Sequence, residues 1–195
     1  MNQFVDYRNL LIKALSNVDE SKISEMEKEL TRIAHEHIPL LTCGNGGSAA
    51  ITEHLSCDHT KGVAMDTKLH PFVIPLQSNV SLNTAIANDI GYDEVFSKQI
   101  EWWLPVESAL LIVSSSGNSP NVINALVAAR RRNMSTMAMV GFGGGEILKN
   151  NLADIIVHVN SDNYGIVEDA HQIIMHSMAQ SIRLKHCKDG HKLKL

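Results

Sequence analysis

Five short runs, IPLLT (38–42), PFVIPL (71–76), ALLIVS (109–114), STMAMV (135–140) and DIIVHV (154–159), are apolar at consecutive positions rather than at alternate ones. A strand apolar on both sides must be buried on both faces, and a parallel sheet covered by helices on each side supplies that environment. The segments between the runs are long enough for crossover helices, and such crossovers are right-handed. The expected fold is therefore α/β, a three-layer αβα sandwich around a five-stranded parallel sheet. Ahead of the sheet, Phe4, Tyr7, Leu10, Leu11, Ala14 and Leu15, then Ile23, Met26, Leu30 and Ile33, recur at three-to-four spacing and predict two leading amphipathic helices. Residues 167–188 space Ile173, Met178 and Ile182 around polar residues, predicting a long terminal helix before a frayed tail at 188–195.

The chain has 195 residues, 44% of them hydrophobic and 19% charged, which suits one domain with a real core and excludes a disordered chain. No internal repeat and no Pro-, Gly- or Ser-rich linker divides it, so residues 1–37 are read as helices appended to a core at 38–187. Helices with no room left on a covered sheet find a partner on a second copy, so a homo-oligomer is expected. A net charge of −4 argues against an extended basic face for nucleic acid or an anionic membrane, and any anionic ligand must be held locally. Cys43, Cys57 and Cys187 have no metal-ribbon or CxxC spacing and fit reduced thiols. The start MNQFVDYRNLL lacks the features of a signal peptide, and no apolar run approaches a membrane span; a cytoplasmic location is expected.

Open parallel sheets place ligands beyond the carboxyl ends of their strands, so the turns after the runs at 38–42 and 109–114 are the first places to look. The first is CGNGGS (43–48), whose glycines let the backbone approach a ligand closely. The second is SSSGNSP (114–120), which leads into a helical run. Ser119 suits its N-cap and Pro120 its first position. The hydroxyls of Ser114, Ser115 and Ser116 and the unpaired N–H groups of that helix start form a neutral cradle for a phosphate monoester. The Walker lysine and the GxGxxG pattern are absent, so a sugar phosphate fits better than a nucleoside triphosphate or dinucleotide.

His54 and Asp58 lie four apart in the helical stretch after the first turn, and Glu168, Gln172 and His176 repeat that spacing near the C-terminus. Such residues suit a divalent ion such as Zn²⁺, or serve as acid and base without one. Asn88-Asp89 reads by itself as a helix end, Arg130 to Arg132 as a solvated helix end, GFGGGE (141–146) as a flexible connection, and Trp102 and Trp103 as core or interface residues.

Taken together, GNGGS (44–48), His54, Asn88-Asp89, SSSGNS (114–119) and His176 resemble the SIS sugar-isomerase domain, in its phosphoheptose isomerase branch, over nearly the whole chain. The resemblance implies a flavodoxin-like sheet and a homotetramer with active sites between subunits. It also implies conversion of sedoheptulose 7-phosphate to D-glycero-D-manno-heptose 7-phosphate for lipopolysaccharide core or capsule synthesis. It places Asn45, Gly46, Gly47, Ser48, Asn88 and Asp89 on substrate, and Ser114, Ser115, Ser116 and Ser119 on its phosphate. It makes His54 a metal ligand and His176 a catalytic acid or base. Two positions depart from the family pattern: Asp58 stands where the family has a glutamate, and Glu168 where it has a glutamine. The resulting set His54, Asp58, Glu168 and His176 carries more negative charge and is expected to hold Zn²⁺, with Asp58 as the proton-transfer carboxylate and Glu168 as its substitute. The alternatives are an isomerase of another ketose phosphate, or a non-catalytic SIS tetramer that binds the replication initiator protein.

Overall fold

The computed structural model describes residues 3–102 and 107–187; Trp103 and the 188–195 tail lie outside the described residues. Helices α1 (Gln3–Ser16) and α2 (Glu20–His35) lead, and the Asp19 side chain caps α2 by accepting from the Ser21 amide at 2.9 Å. Five strands follow, β1 (Leu40–Cys43), β2 (Val73–Pro75), β3 (Ala109–Ser114), β4 (Ser135–Val140) and β5 (Ile155–His158), in the order β2-β1-β3-β4-β5 with every pairing parallel. Three strands, β1, β2 and β5, are shorter than their apolar runs. The Ile38 amide closes the end of α2 by donating to the Ile33 carbonyl, and Leu76 begins a 3₁₀ turn.

The helices between strands are α3 (Gly47–Cys57), the short α4 (Ala64–Asp66), α5 (Val80–Asp89), α6 (Ser97–Trp102), α7 (Pro120–Arg131) and α8 (Gly145–Lys149), before the terminal α9 (Tyr164–His186). Because side chains alternate along a strand, the continuous apolar runs split into two cores. Leu40, Leu111, Val113, Met137, Met139 and Val157 pack on the face covered by α1, α2, α3 and α9. Leu41, Cys43, Leu110, Ile112, Ala138, Val140 and Ile156 pack on the face covered by α5 to α8.

Two expected apolar stripes are narrower than their spacing suggests. On α1, Ala14 is buried while Tyr7, Leu11 and Leu15 are partly covered, and Phe4 and Leu10 face outward, Phe4 being 72% exposed. On α9, Met178 and Ile182 are buried but Ile173 is exposed. Helix α9 starts ahead of residue 167 because the Asn163 side chain accepts from the Ile166 amide and caps it. Trp102 is exposed rather than part of the core. Among the described residues no helix is long and apolar enough to cross a membrane.

What positions the site is the middle of the sheet. Strands β1 and β3 are neighbours, yet the chain leaves β1 for α3 on one face and β3 for α7 on the other. The two connections diverge and open a crevice at their carboxyl ends, the switch point where open α/β sheets bind ligands.

Candidate active site

The crevice is built from the two turns read from the sequence. Gly46 takes a positive φ of 55° and caps α3 with no side-chain hydrogen bond, so the first amides of α3 stay open to the crevice. Across from it, Ser119 is the N-cap of α7 and Pro120 its first residue. The Ser119 hydroxyl makes no capping bond and instead lines a cavity of about 120 Å³ with Asn45, Ser48, Ser114, Ser115, Ser116, Tyr164 and Glu168. The Ser114 and Ser116 oxygens accept from the Gly117 and Asn118 amides, each at 3.2 Å, which leaves their hydroxyl protons for a ligand. The Ser115 hydroxyl is buried with no partner among the described residues. A buried unpaired hydroxyl is costly unless something polar satisfies it, and a phosphate oxygen does so.

The two turns are tied together by amides. Asn45 and Asn121 exchange side-chain hydrogen bonds of 2.9 and 3.0 Å, and the Tyr92 hydroxyl donates to the Asn45 oxygen at 2.9 Å. Asn121, Tyr92 and Tyr164 were not among the residues singled out from sequence, because isolated polar residues carry no spacing signal. Asn88 and Asp89, by contrast, are not among the residues that line this cavity. Ile86 anchors α5 in the core, whereas Asn88 and Asp89, the last two residues of the helix, are both exposed, with the Asn88 amide donating to Asp89 at 2.7 Å.

The second half of the site lies where α3 meets α9. His54 and Asp58 are one turn apart at the end of α3, and Asp58 opens a π-helical turn, Asp58–Val63. His176 comes from α9. One Asp58 oxygen lies 3.6 Å from His54 Nε2, the other 3.5 Å from His176 Nε2, and the two ring nitrogens are 3.5 Å apart. One carboxylate oxygen of Asp58 and one ring nitrogen from each histidine lie within 4.8 Å of one another, and these are atom types that Zn²⁺ binds at about 2 Å. The donor set therefore fits a divalent ion.

Glu168 does not join these three. Eight residues of helix put it about 12 Å along the axis from His176, and its side chain turns towards the first turn of α3. There a Cβ on Gly47 would stand 2.4 Å from the Glu168 carboxylate, so only glycine at 47 admits it. Its neighbour on the same face, Gln172, takes the place beside the histidines: its Nε2 lies 2.9 Å from His54 Nδ1 and 3.0 Å from His176 Nε2. The four-residue ladder Glu168, Gln172, His176 contained that signal, but an uncharged amide did not stand out among charged neighbours. The cluster itself is partly open to solvent, the His54 and His176 side chains being 49% and 40% exposed. Burial pushes the imidazoles of His59 and His171 down to about 4, and both stay neutral beside the site. Outside α9, the Tyr7 hydroxyl donates to Asp169 at 2.7 Å; burial first, then this bond, pushes its phenol up to about 12.

A hydroxyl-lined anion cradle at the switch point of a parallel sheet, with a cluster of proton- and metal-binding side chains beside it, defines a class of sugar-phosphate proteins. The SIS domain model matches residues 3–141. A phosphoheptose isomerase of Sulfurimonas denitrificans is 34% identical over 170 residues, covering 87% of this chain and 86% of that protein. The structure of a phosphoheptose isomerase from Francisella tularensis superposes with a TM-score of 0.81 at 25% identity, covering 94% of this chain and 97% of that one. That of Neisseria gonorrhoeae does so with a TM-score of 0.80 at 29% identity, covering 92% and 94%. The chain belongs to the SIS domain family and, within it, to the phosphoheptose isomerases; it is a sugar-phosphate isomerase.

Proposed function

We propose that the chain converts sedoheptulose 7-phosphate to D-glycero-D-manno-heptose 7-phosphate, a precursor for lipopolysaccharide core or capsule, with one Zn²⁺ at each site. The observation that carries this reading is the meeting of two functions in one crevice. The hydroxyls of Ser114, Ser115, Ser116 and Ser119 and the open amides of α3 suit the 7-phosphate. Asn45 and Ser48 line the same cavity on the side of the sugar. At the other end His54, Asp58 and His176 hold the ion. When bound, Zn²⁺ acts as a Lewis acid that polarises the substrate's oxygens. Gln172 holds the ring of His54 from its other nitrogen, Nδ1, at 2.9 Å.

The protein acts as a homotetramer in the cytoplasm. Support for assembly comes from α1, whose apolar Phe4, Leu10 and Ile12 are left exposed by the described residues. Support for a reducing compartment comes from Cys43, Cys57 and Cys187, none of which forms a disulfide among the described residues.

The test is turnover of sedoheptulose 7-phosphate by the purified chain, with mass measured by sedimentation. Aldose formation that a chelator abolishes and Zn²⁺ restores is the expected outcome. Turnover unaffected by metal removal eliminates the ion, and no aldose from any ketose phosphate eliminates the substrate.

A further inference from the structure

We infer that Tyr92 is a positioning residue of the crevice: its hydroxyl fixes which way the Asn45 side-chain amide faces, so that Asn45 offers a bound sugar phosphate an N–H and not an oxygen. The inference deepens the sugar-phosphate reading above and rests on it. Asn45 lines the cavity with the serines, and a side-chain amide has two acceptor positions on its oxygen and two hydrogens on its nitrogen. Three of the four are occupied. The Asn45 oxygen accepts from Asn121 Nδ2 at 3.0 Å and from the Tyr92 hydroxyl at 2.9 Å, and Asn45 Nδ2 donates one hydrogen to the Asn121 oxygen at 2.9 Å. What is left over is one N–H, with no acceptor among the described residues.

The two bonds between Asn45 and Asn121 do not choose that orientation by themselves. Turning both amides over keeps the mutual bonds and puts an oxygen where the open N–H was. The third bond makes the difference, because a phenol, whose oxygen lone pair is shared with its ring, donates better than it accepts. The orientation matters to the ligand as well: an N–H attracts a phosphate or hydroxyl oxygen, whereas a carbonyl oxygen turned the same way repels an anion.

The helix that starts the cradle also holds Tyr92 in place. Gly91, at φ of 140°, takes the chain out of the end of α5 and into a 3₁₀ turn, Tyr92–Glu94. Helix α7 fastens that turn, since Asn124 Nδ2 donates to the Asp93 carbonyl at 3.0 Å and to a Glu94 carboxylate oxygen at 3.2 Å. Asn121, 1% exposed, lies in the first turn of the same helix, just after Ser119 and Pro120. One helix thus opens at the serines, carries the amide partner and anchors the tyrosine. Tyr92 is 60% exposed and is not among the residues that line the cavity, so its hydroxyl acts through Asn45 and not on the ligand.

The experiment is a double-mutant cycle of Tyr92→Phe and Asn45→Ala in the full chain, read as KM and kcat for sedoheptulose 7-phosphate. Tyr92→Phe is expected to raise KM about 3–10-fold, the effect of one neutral hydrogen bond, with kcat within about twofold of wild type. In the Asn45→Ala background the same change is expected to alter KM by less than about twofold, because the amide that it steers is gone. A merely structural role acts alike in both backgrounds, so equal factors in the two overturn the inference, as does a Tyr92→Phe enzyme with the KM of wild type. Asn45→Ser takes the place of Asn45→Ala if the alanine variant does not fold. Inorganic phosphate as a competitive inhibitor tells which oxygen the N–H meets: an inhibition constant that rises with KM in Tyr92→Phe identifies the phosphate, and one that stays constant while KM rises identifies the sugar. A wild type inert on every ketose phosphate defeats the isomerase reading; the cycle is then read on the calorimetric dissociation constant of the sugar phosphate, with the same expected factors, so the two failures are told apart.

Discussion

At the scale of single residues, the site divides labour by what each polar group already touches. Asp58, His54 and His176 form the donor cluster, Glu168 makes no hydrogen bond or ion pair among the described residues, and Gln172 reaches both imidazoles. A group that orients a metal ligand typically contributes 10–100-fold to metal affinity. Gln172→Ala is therefore expected to weaken Zn²⁺ binding by about 10–100-fold with the fold intact, measured by competition against a chromophoric chelator. Unchanged affinity removes Gln172 from the metal centre. The residue types were legible in the chain, since His, Asp and Glu at four-residue spacing pointed to this chemistry. Their partners were not, because spacing on α9 gives a shared face but not which of Glu168 or Gln172 turns towards α3.

The elements show how backbone conformation makes the cradle. Gly117 sits at the bend between β3 and α7 with φ of 64°, and a Cβ there would stand 2.2 Å from the Gly144 carbonyl oxygen. Both the positive φ and the contact with rigid backbone oppose a side chain. Gly117→Ala is expected to cost about 1–3 kcal/mol from the backbone strain alone, read as a lower urea midpoint, and to raise KM because the serine hydroxyls shift with the bend. A variant as stable as wild type shows that the loop at 141–144 yields. The glycine-rich 141–146 segment is thus a packing partner of the cradle rather than a plain connection. The helix start at Ser119-Pro120 was readable from local chemistry; the approach of Gly144 was not, since it joins segments distant in sequence.

For the whole molecule, dense packing around the site sets a pH limit on stability. His171 is buried on α9, and burial lowers its imidazole from 6.5 to about 4, with the charge of His158 adding and the backbone at Val140 opposing. The unfolded chain binds a proton at this residue below about pH 6.5, while the native state takes one only near pH 4. Stability is therefore full above 6.5, falls as pH drops through that window, and loses no more from this group below about 4. At about 1.4 kcal/mol per pH unit the loss is roughly 3 kcal/mol. Urea titrations from pH 7.5 to 4 are expected to show this slope, and His171→Leu to flatten part of it; an equal slope in the variant assigns the loss to other groups.

By itself the sequence determined the α/β class, the five strands, the two leading helices and the two turns that line the crevice. These follow from local rules: continuous apolar runs can be buried only in a covered parallel sheet, and glycine, serine and proline fix turns and helix starts within a few residues. Only the tertiary structure decided that β1 and β3 stand side by side and that Gln172 meets the histidines while Glu168 meets the serines. Each of those depends on where one helix face settles against another, and that is fixed by the packing of α3 and α9 on a shared core, not by any interval along the chain.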